Sequence, residues 1–252
     1  MLRDGSDESG KMTKQAGLRG LVSNLGHLKR EPVGYRPLPP RLALLRAWQT
    51  QRLTRTYQDL LNADRYRPAC LFFLEDIYAA RDFSQRDHDI ERMYEFTRRF
   101  VPDSLLRPVA VTVELHRLTE ELDQALITAL IERLGVTDTI TPELYAEAYR
   151  LCDNYAPRVR QIELIEDICE RIDGIVRNPI AGPTLSLARR PLHAAGYGEL
   201  HEFLVRGYES FKRMHGSRHF RRAIKEREIT ILDRIYAGEA DPFRADWPLI
   251  SA

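Results

Sequence analysis

An apolar stripe of helical period runs through the longest uninterrupted segment of this chain. The segment spans residues 104–134, and its stripe consists of Val111, Leu115, Leu118, Leu122, Leu126 and Leu130. This spacing places the apolar side chains on one face of an α-helix, whereas a half-buried strand alternates at every second residue. Gly135 follows the stripe, where many helices end in a left-handed residue. The segment therefore predicts a long amphipathic helix that must bury one face against other elements.

Comparable stripes cover most of the chain after residue 40. They lie near residues 42–61, 71–78, 85–100, 142–153, 162–176, 199–214 and 217–236. Thr141 before Pro142 predicts a helix start, and Pro191 predicts a break within residues 185–195. Strand alternation and fixed-period repeats are missing from the sequence. These features predict an all-α fold class, a single multi-helix bundle of about eight helices with short connectors.

Composition divides the chain into three parts. Residues 1–39 join a polar tail to a Pro-rich connector, and we expect this part to be flexible because it offers little apolar surface to bury. Residues 40–238 are expected to form the helical bundle domain. Residues 239–252 form a C-terminal arm whose Phe243 and Trp247 can pack back on the bundle.

Charge and cysteine usage indicate a cytoplasmic protein. The 252 residues carry a formal net charge of +1, and the three cysteines, Cys70, Cys152 and Cys169, form no C-x-x-C pair. Each cysteine lies in an apolar helical pattern, which is typical of a buried reduced thiol. An apolar run of the length of a membrane span is missing from the sequence. We therefore expect a soluble protein without a membrane segment.

The densest meeting of aromatic and ionisable residues lies between Cys70 and Tyr94. Its apolar residues follow helical spacing with Glu75 and Asp76 on the remaining arc, and Ser84 can cap the helix that follows. Ion pairs in such a corner usually lock two helices together, and the alternative is a ligand or interaction site. The candidate side chains of this corner are Asp76, Tyr78, Asp82, Arg86, Asp87 and His88.

Histidines supply two further candidate sites. His116, Glu120 and Asp123 share one helix face, which suits a general base or, more commonly, a solvated polar face. His193 and His201 flank a glycine-containing segment, which suits haem as a cofactor or, as the more ordinary interpretation, a tight turn between helices. These two histidines are candidates for ligand contact.

Two binding activities receive little support from the sequence. His215 and His219 are four residues apart, but Gly216 breaks the register that would let them share a metal, so no metal ligands are assigned. The last helix carries a basic stripe that could meet phosphates, yet acidic residues follow closely and the pI is only about 7.8, so nucleic-acid binding is disfavoured. A protein or small-molecule partner is the favoured expectation. The stripe consists of Arg218, Arg221, Arg222 and Lys225.

Three short runs resemble an uncharacterised bacterial family of helical proteins. They are Phe-Phe-Leu-Glu-Asp-Ile-Tyr at residues 72–78, Asp-Phe-Ser-Gln-Arg-Asp at 82–87 and Phe-Leu-Val-Arg-Gly-Tyr at 203–208. The resemblance covers most of the chain after residue 40 and implies an intracellular bacterial origin. It transfers neither an activity nor functional residues.

Overall fold

Ten α-helices make up the part of the chain that the structure, a computed structural model, describes: residues 38–78, 84–97 and 103–247. These ranges contain no strand, which confirms the predicted all-α bundle. Over the same residues, no helix is both long and apolar enough to cross a bilayer. The helices are α1 (Pro40–Thr56), α2 (Gln58–Asn62), α3 (Arg67–Phe72), α4 (Ser84–Thr97), α5 (Asp103–Thr128), α6 (Pro142–Cys152), α7 (Tyr155–Arg177), α8 (Ala181–Ala194), α9 (Gly198–Arg213) and α10 (Arg218–Tyr236).

The predicted ends of α5 and α6 are confirmed by their hydrogen bonds. The π-helical turn Ala129–Arg133 follows α5, and Gly135 then adopts a left-handed φ of 68°. The N–H of Val136 donates to the carbonyl of Leu130 at 2.9 Å, which is one residue further back than in the usual 6→1 bond of such a helix end and agrees with the wider π-helical turn before Gly135. The N–H of Leu144 donates to Oγ1 of Thr141 at 3.3 Å, so Thr141 caps α6 as expected.

Two expectations about continuity are wrong. Pro191 does not break its segment, since α8 runs through it from Ala181 to Ala194. The missing proline N–H would have bonded the carbonyl of residue 187, and Leu187 is 79% exposed, so water can solvate that part of the helix. The single helix expected over residues 42–61 is instead divided at Tyr57 into α1 and α2.

Helix α7 lies at the centre of the packing, along both α5 and α10. One apolar cluster joins α1, α5, α6, α7 and α10, and it includes Leu45, Leu126, Tyr145, Ile162 and Ile235. A second cluster joins α1, α2, α3, α7, α9 and α10, and it includes Leu60, Cys70, Cys169, Phe211 and Phe220. The space between the two clusters is therefore bordered by helices that are far apart in sequence.

The π-helical turn Phe73–Ile77 follows α3 directly. It is closed by the N–H of Tyr78, which donates to the carbonyl of Phe73 at 3.0 Å. The wider turn lets consecutive aromatic rings pack on different helices: Phe72 meets Phe203 of α9 at 5.2 Å, and Phe73 meets Phe220 of α10 at 5.9 Å. Turns of this type are often found at functional sites.

The C-terminal residues that follow α10 contact the bundle. The Phe243 ring meets Trp48 at 5.4 Å, and Arg234 holds both carboxylate oxygens of Asp246 at 2.8 and 2.9 Å. Residues 1–37 and 248–252 lie outside the described residues, so the division at 1–39, 40–238 and 239–252 stays a prediction.

Candidate functional site

A cavity of about 100 Å³ lies inside the bundle, bordered by α1, α5, α6, α7, α10 and the first π-helical turn. Leu53, Ile162 and Ile231 contribute apolar side chains, and Phe243 contributes from the chain after α10. Binding sites for small molecules commonly combine a mostly apolar lining with a few convergent polar groups. The ionisable and phenolic side chains that matter most here are Arg52, Asp123, Tyr145, Tyr149, Arg158 and Glu228.

Arg52 and Glu228 form an ion pair at the border of the cavity. Nη1 of Arg52 donates to Oε1 of Glu228 at 2.5 Å, and the hydroxyl of Tyr57 donates to the same oxygen at 2.7 Å. Burial opposes the charge on Arg52, but Glu228 outweighs it and the pKa of Arg52 stays above its ordinary value. Burial and the Glu228 carboxylate raise the pKa of Tyr57, so this phenol remains a donor. The pair adds no net charge to the cavity.

Stacked aromatic rings form another side of the cavity. Trp48 stacks on Tyr145 with ring centroids 3.8 Å apart, and Tyr145 contacts Tyr149 one helical turn further along α6. The two phenol oxygens are 3.2 Å apart. Burial raises the pKa of Tyr145 well above its ordinary value, so the phenol stays neutral and available for hydrogen bonding. The rings of Tyr145 and Tyr149 present flat, weakly polar surfaces to the cavity, and Trp48 packs behind Tyr145.

Arg158 brings a second guanidinium to the cavity from the first turns of α7. Its Nη2 donates to the carbonyl of Leu122 at 3.1 Å and its Nη1 to Oε1 of Gln161 at 3.0 Å. The guanidinium also lies 4.5 Å above the ring of Tyr149. Arg158 is 4% exposed, its Nε has no hydrogen-bond partner, and among the described residues no carboxylate forms an ion pair with it. A guanidinium keeps its proton in proteins, so this charge is permanent.

Asp123 is a buried carboxyl group in the same cavity. It is 6% exposed, and one of its oxygens accepts a hydrogen bond from Nε2 of Gln49 at 3.1 Å. Burial raises the pKa of Asp123, while Arg158 and the bond from Gln49 oppose that shift only in part. His116 and Glu120 do not share this environment, so the predicted three-residue face is divided between the surface and the interior.

Two charged residues of the predicted corner are used in helix packing. Arg206 of α9 donates to both oxygens of Asp76, the closer at 2.7 Å. Arg86 donates to the backbone carbonyl of Asp76 and to Oδ1 of Asp87, and its guanidinium lies 4.6 Å from the ring of Phe203. These contacts connect the first π-helical turn with α4 and α9.

The other candidate residues of the corner lie in different parts of the structure. Tyr78 lines the cavity and is the one predicted corner residue within the described ranges that does so. Nε2 of His88 is buried without a hydrogen-bond partner among the described residues. Nδ1 of His116 lies 3.8 Å from Asp87, and Asp82 falls outside the described residues.

His193 and His201 contact each other at the junction of α8 and α9. Their ring centroids are 5.5 Å apart and the rings are nearly perpendicular. Nε2 of buried His201 donates to the carbonyl of Leu185 at 2.9 Å, whereas His193 is exposed. Neither histidine borders the central cavity. The described residues contain no cluster of three or more metal-ligating side chains.

The basic stripe of α10 faces acidic side chains of α7. Arg221 lies 3.0 Å from Glu170, and Lys225 lies 2.7 Å from Glu166. These pairs account for part of the positive charge that the sequence offers to phosphates.

Apart from Asp123, the main polar residues of the cavity were not selected from the sequence, although the sequence contains a signal for two of them. Arg158 precedes Ile162 by four residues and therefore continues the apolar stripe of α7. Glu228 occupies the same kind of position between Ile224 and Ile231 in α10. A charged side chain within an apolar stripe must be buried with its helix face. Arg52 of α1 also borders the cavity.

The fold and this site define a class: an all-helical bundle protein with a polar cavity in its interior. The chain belongs to the family described as a domain of unknown function, DUF8198, whose profile matches residues 30–242. This match confirms the predicted membership of an uncharacterised family. No curated protein and no solved structure shows significant similarity to the chain.

Proposed function

We propose that this protein binds a small organic molecule in its central cavity. The observation that carries the proposal is the cavity of about 100 Å³, which the buried Arg158 and Asp123 and the largely buried Arg52 share with apolar and aromatic side chains. A water molecule needs on the order of 10 Å³ on this scale, so the space suits a ligand of roughly ten non-hydrogen atoms.

The energetic cost of these groups supports a binding role over a purely structural one. Removing a charged group from water is unfavourable, and apolar side chains of similar volume often stabilise a core equally well or better. Arg52 and Glu228 form an ion pair, whereas Asp123 and Arg158 attract each other without forming an ion pair with any described residue. Polar groups that converge in this way on a cavity are typical of ligand sites.

The proposal includes a cytoplasmic location. It is supported by the three free thiols, of which Cys70 and Cys169 are buried in the core. Free thiols persist in reducing compartments.

Three fluorinated probes of suitable size can test the binding function: 4-fluorobenzoate, 4-fluorobenzamide and 4-fluorobenzylamine. We expect at least one of them to show fluorine NMR line broadening with the wild-type protein at concentrations up to about 1 mM. The variant Ile162→Phe fills the cavity and should abolish that broadening. Ile175→Phe is the matched control, because Ile175 lies on the same helix, is 43% exposed and does not line the cavity.

Two results would refute the binding function. One is the absence of broadening for all three probes. The other is broadening that persists in a folded Ile162→Phe variant to the same extent as in Ile175→Phe, because the probes would then bind elsewhere.

A further inference from the structure

Among the described residues, no carboxylate forms a direct ion pair with Arg158 of the cavity. Its hydrogen bonds go to two neutral oxygens, the carbonyl of Leu122 and the amide of Gln161. Its Nε is fully buried and donates to no atom of the described residues, and Arg158 as a whole is 4% exposed. A buried charge of this kind is expensive unless an opposite charge joins it.

The carboxylates of the cavity do not reach Arg158 directly. Glu228 is occupied by Arg52 and Tyr57, whose donors lie 2.5 and 2.7 Å from one of its oxygens. Asp123 accepts from Gln49, and it attracts Arg158 electrostatically without forming an ion pair with it. Among the described residues, Arg158 therefore has no carboxylate in direct contact.

We propose that the ligand of this cavity is a small monocarboxylate whose carboxylate group binds Arg158. This inference rests on the proposed binding function and gives the ligand its chemical class. A guanidinium presents a planar fork of donors that matches a carboxylate, and such charge-assisted bonds are stronger than neutral ones. A monocarboxylate supplies one negative group for direct contact with this guanidinium.

A dianionic phosphate or phosphonate fits this site less well than a carboxylate. Its second charge would lie in a cavity that already contains the carboxylate of Glu228 and the carboxyl group of Asp123. Like charges in a poorly hydrated space repel strongly.

The body of the ligand is apolar or aromatic. Arg158 lies over the Tyr149 ring at 4.5 Å, and Ile162, one turn further along α7, borders the same cavity. Tyr145 and Phe243 extend the aromatic surface, with ring centroids 5.9 Å apart. A carboxylate held at Arg158 would therefore have rings and aliphatic side chains around the rest of the molecule.

The three probes separate this inference from the binding function because they are similar in size and differ in charge. We expect 4-fluorobenzoate to bind at least about tenfold more tightly than the isosteric amide, since it gains charge-assisted hydrogen bonds. The amine should be the weakest of the three. A fourth probe, 4-fluorophenylphosphonate, should bind more weakly than the benzoate.

Variants at position 158 identify the anchoring group. Arg158→Met should remove the preference for benzoate over benzamide while leaving the cavity to accept both. Arg158→Lys keeps the charge without the planar fork and should retain a reduced preference for benzoate over benzamide. It serves as the second variant if Arg158→Met does not fold. Arg160→Met is the matched control, because Arg160 is half-exposed on the same helix and pairs with Glu114 at 2.8 Å.

The outcomes distinguish the two levels of the proposal. Three results would overturn the monocarboxylate assignment but leave binding in the cavity intact. They are equal binding of benzoate and benzamide, tighter binding of the phosphonate, and a preference for benzoate that is unchanged in Arg158→Met or in Arg158→Lys. Binding of none of the probes would overturn both. Loss of the preference in Arg158→Met and its reduction in Arg158→Lys, with no change in Arg160→Met, would support the assignment.

Discussion

Breaking the Asp59–Arg227 pair should destabilise the protein more than breaking any exposed pair on the same helix. Both nitrogens at the tip of Arg227 donate to Asp59 at 2.7 Å, and Nη1 also donates to the carbonyl of Thr56 at 3.0 Å. The Arg227 side chain is 5% exposed and that of Asp59 is 20% exposed. Asp59→Asn would therefore leave a guanidinium in the core without its counter-charge.

The expected cost follows from this burial. Removing one partner of a buried ion pair costs about 3–5 kcal/mol, and the partial exposure of Asp59 places the value near the lower end, about 3 kcal/mol. For a chain of this length that corresponds to a fall in Tm of roughly 6–12 °C. Urea unfolding followed by circular dichroism measures the free energy directly. Glu226→Gln is the control, because Glu226 is 69% exposed and lies 3.8 Å from Arg222 on the same helix.

The same pair has a predictable pH dependence. Partial burial opposes ionisation of Asp59, but the hydrogen bonds and charge of Arg227 outweigh it and lower the pKa of Asp59. The stabilisation is therefore complete above the ordinary carboxyl pKa of about 3.9 and is lost as the pH falls through the lower folded-state pKa. A double-mutant cycle with Arg227→Met should give a coupling of about 1–3 kcal/mol at pH 7. The reasoning is refuted if Asp59→Asn costs no more than Glu226→Gln, or if the cycle is additive.

Two further predictions concern buried titratable groups. Burial raises the pKa of Cys70 and of Cys169 to about 12, so only the partly exposed Cys152 should react with DTNB in the native protein at pH 8. All three thiols should react in denaturant. More than one reacting thiol per native chain would contradict this prediction. Burial also raises the pKa of Asp123 in the folded protein. The free energy of unfolding should therefore decrease as the pH rises from the ordinary carboxyl pKa through this raised pKa. The variant Asp123→Asn can still accept a hydrogen bond from Gln49 and should raise the urea midpoint of unfolding at pH 8. This increase should become smaller as the pH falls toward about 4. An unchanged or lower midpoint at pH 8 would contradict the argument.

Local signals predicted the helices well because they act within a few residues. The cap at Thr141 and the left-handed glycine at 135 need only their own neighbours, and both helix ends lie where these residues place them. The first π-helical turn depends instead on where Phe72 and Phe73 find partners on α9 and α10. Such a choice is made in tertiary packing, which helical spacing does not encode.

The cavity was beyond sequence prediction for the same reason. Arg158 and Glu228 can each be recognised as charged residues inside an apolar stripe, so their burial was predictable one helix at a time. Their meeting around one cavity depends on how α7 and α10 pack with α1 and α6. The corner at residues 76–88 attracted more attention in the sequence because its charges are close along the chain, but Asp76 and Arg86 there join helices to one another.

The most direct test of the central claim is a crystal structure of the protein with 4-bromobenzoate, in which the anomalous signal of bromine locates the ligand independently of the protein. We expect a bromine peak inside the cavity and a carboxylate within hydrogen-bonding distance of Arg158. Bromine peaks confined to the protein surface, or a ligand in the cavity with its carboxylate directed away from Arg158, would contradict the claim.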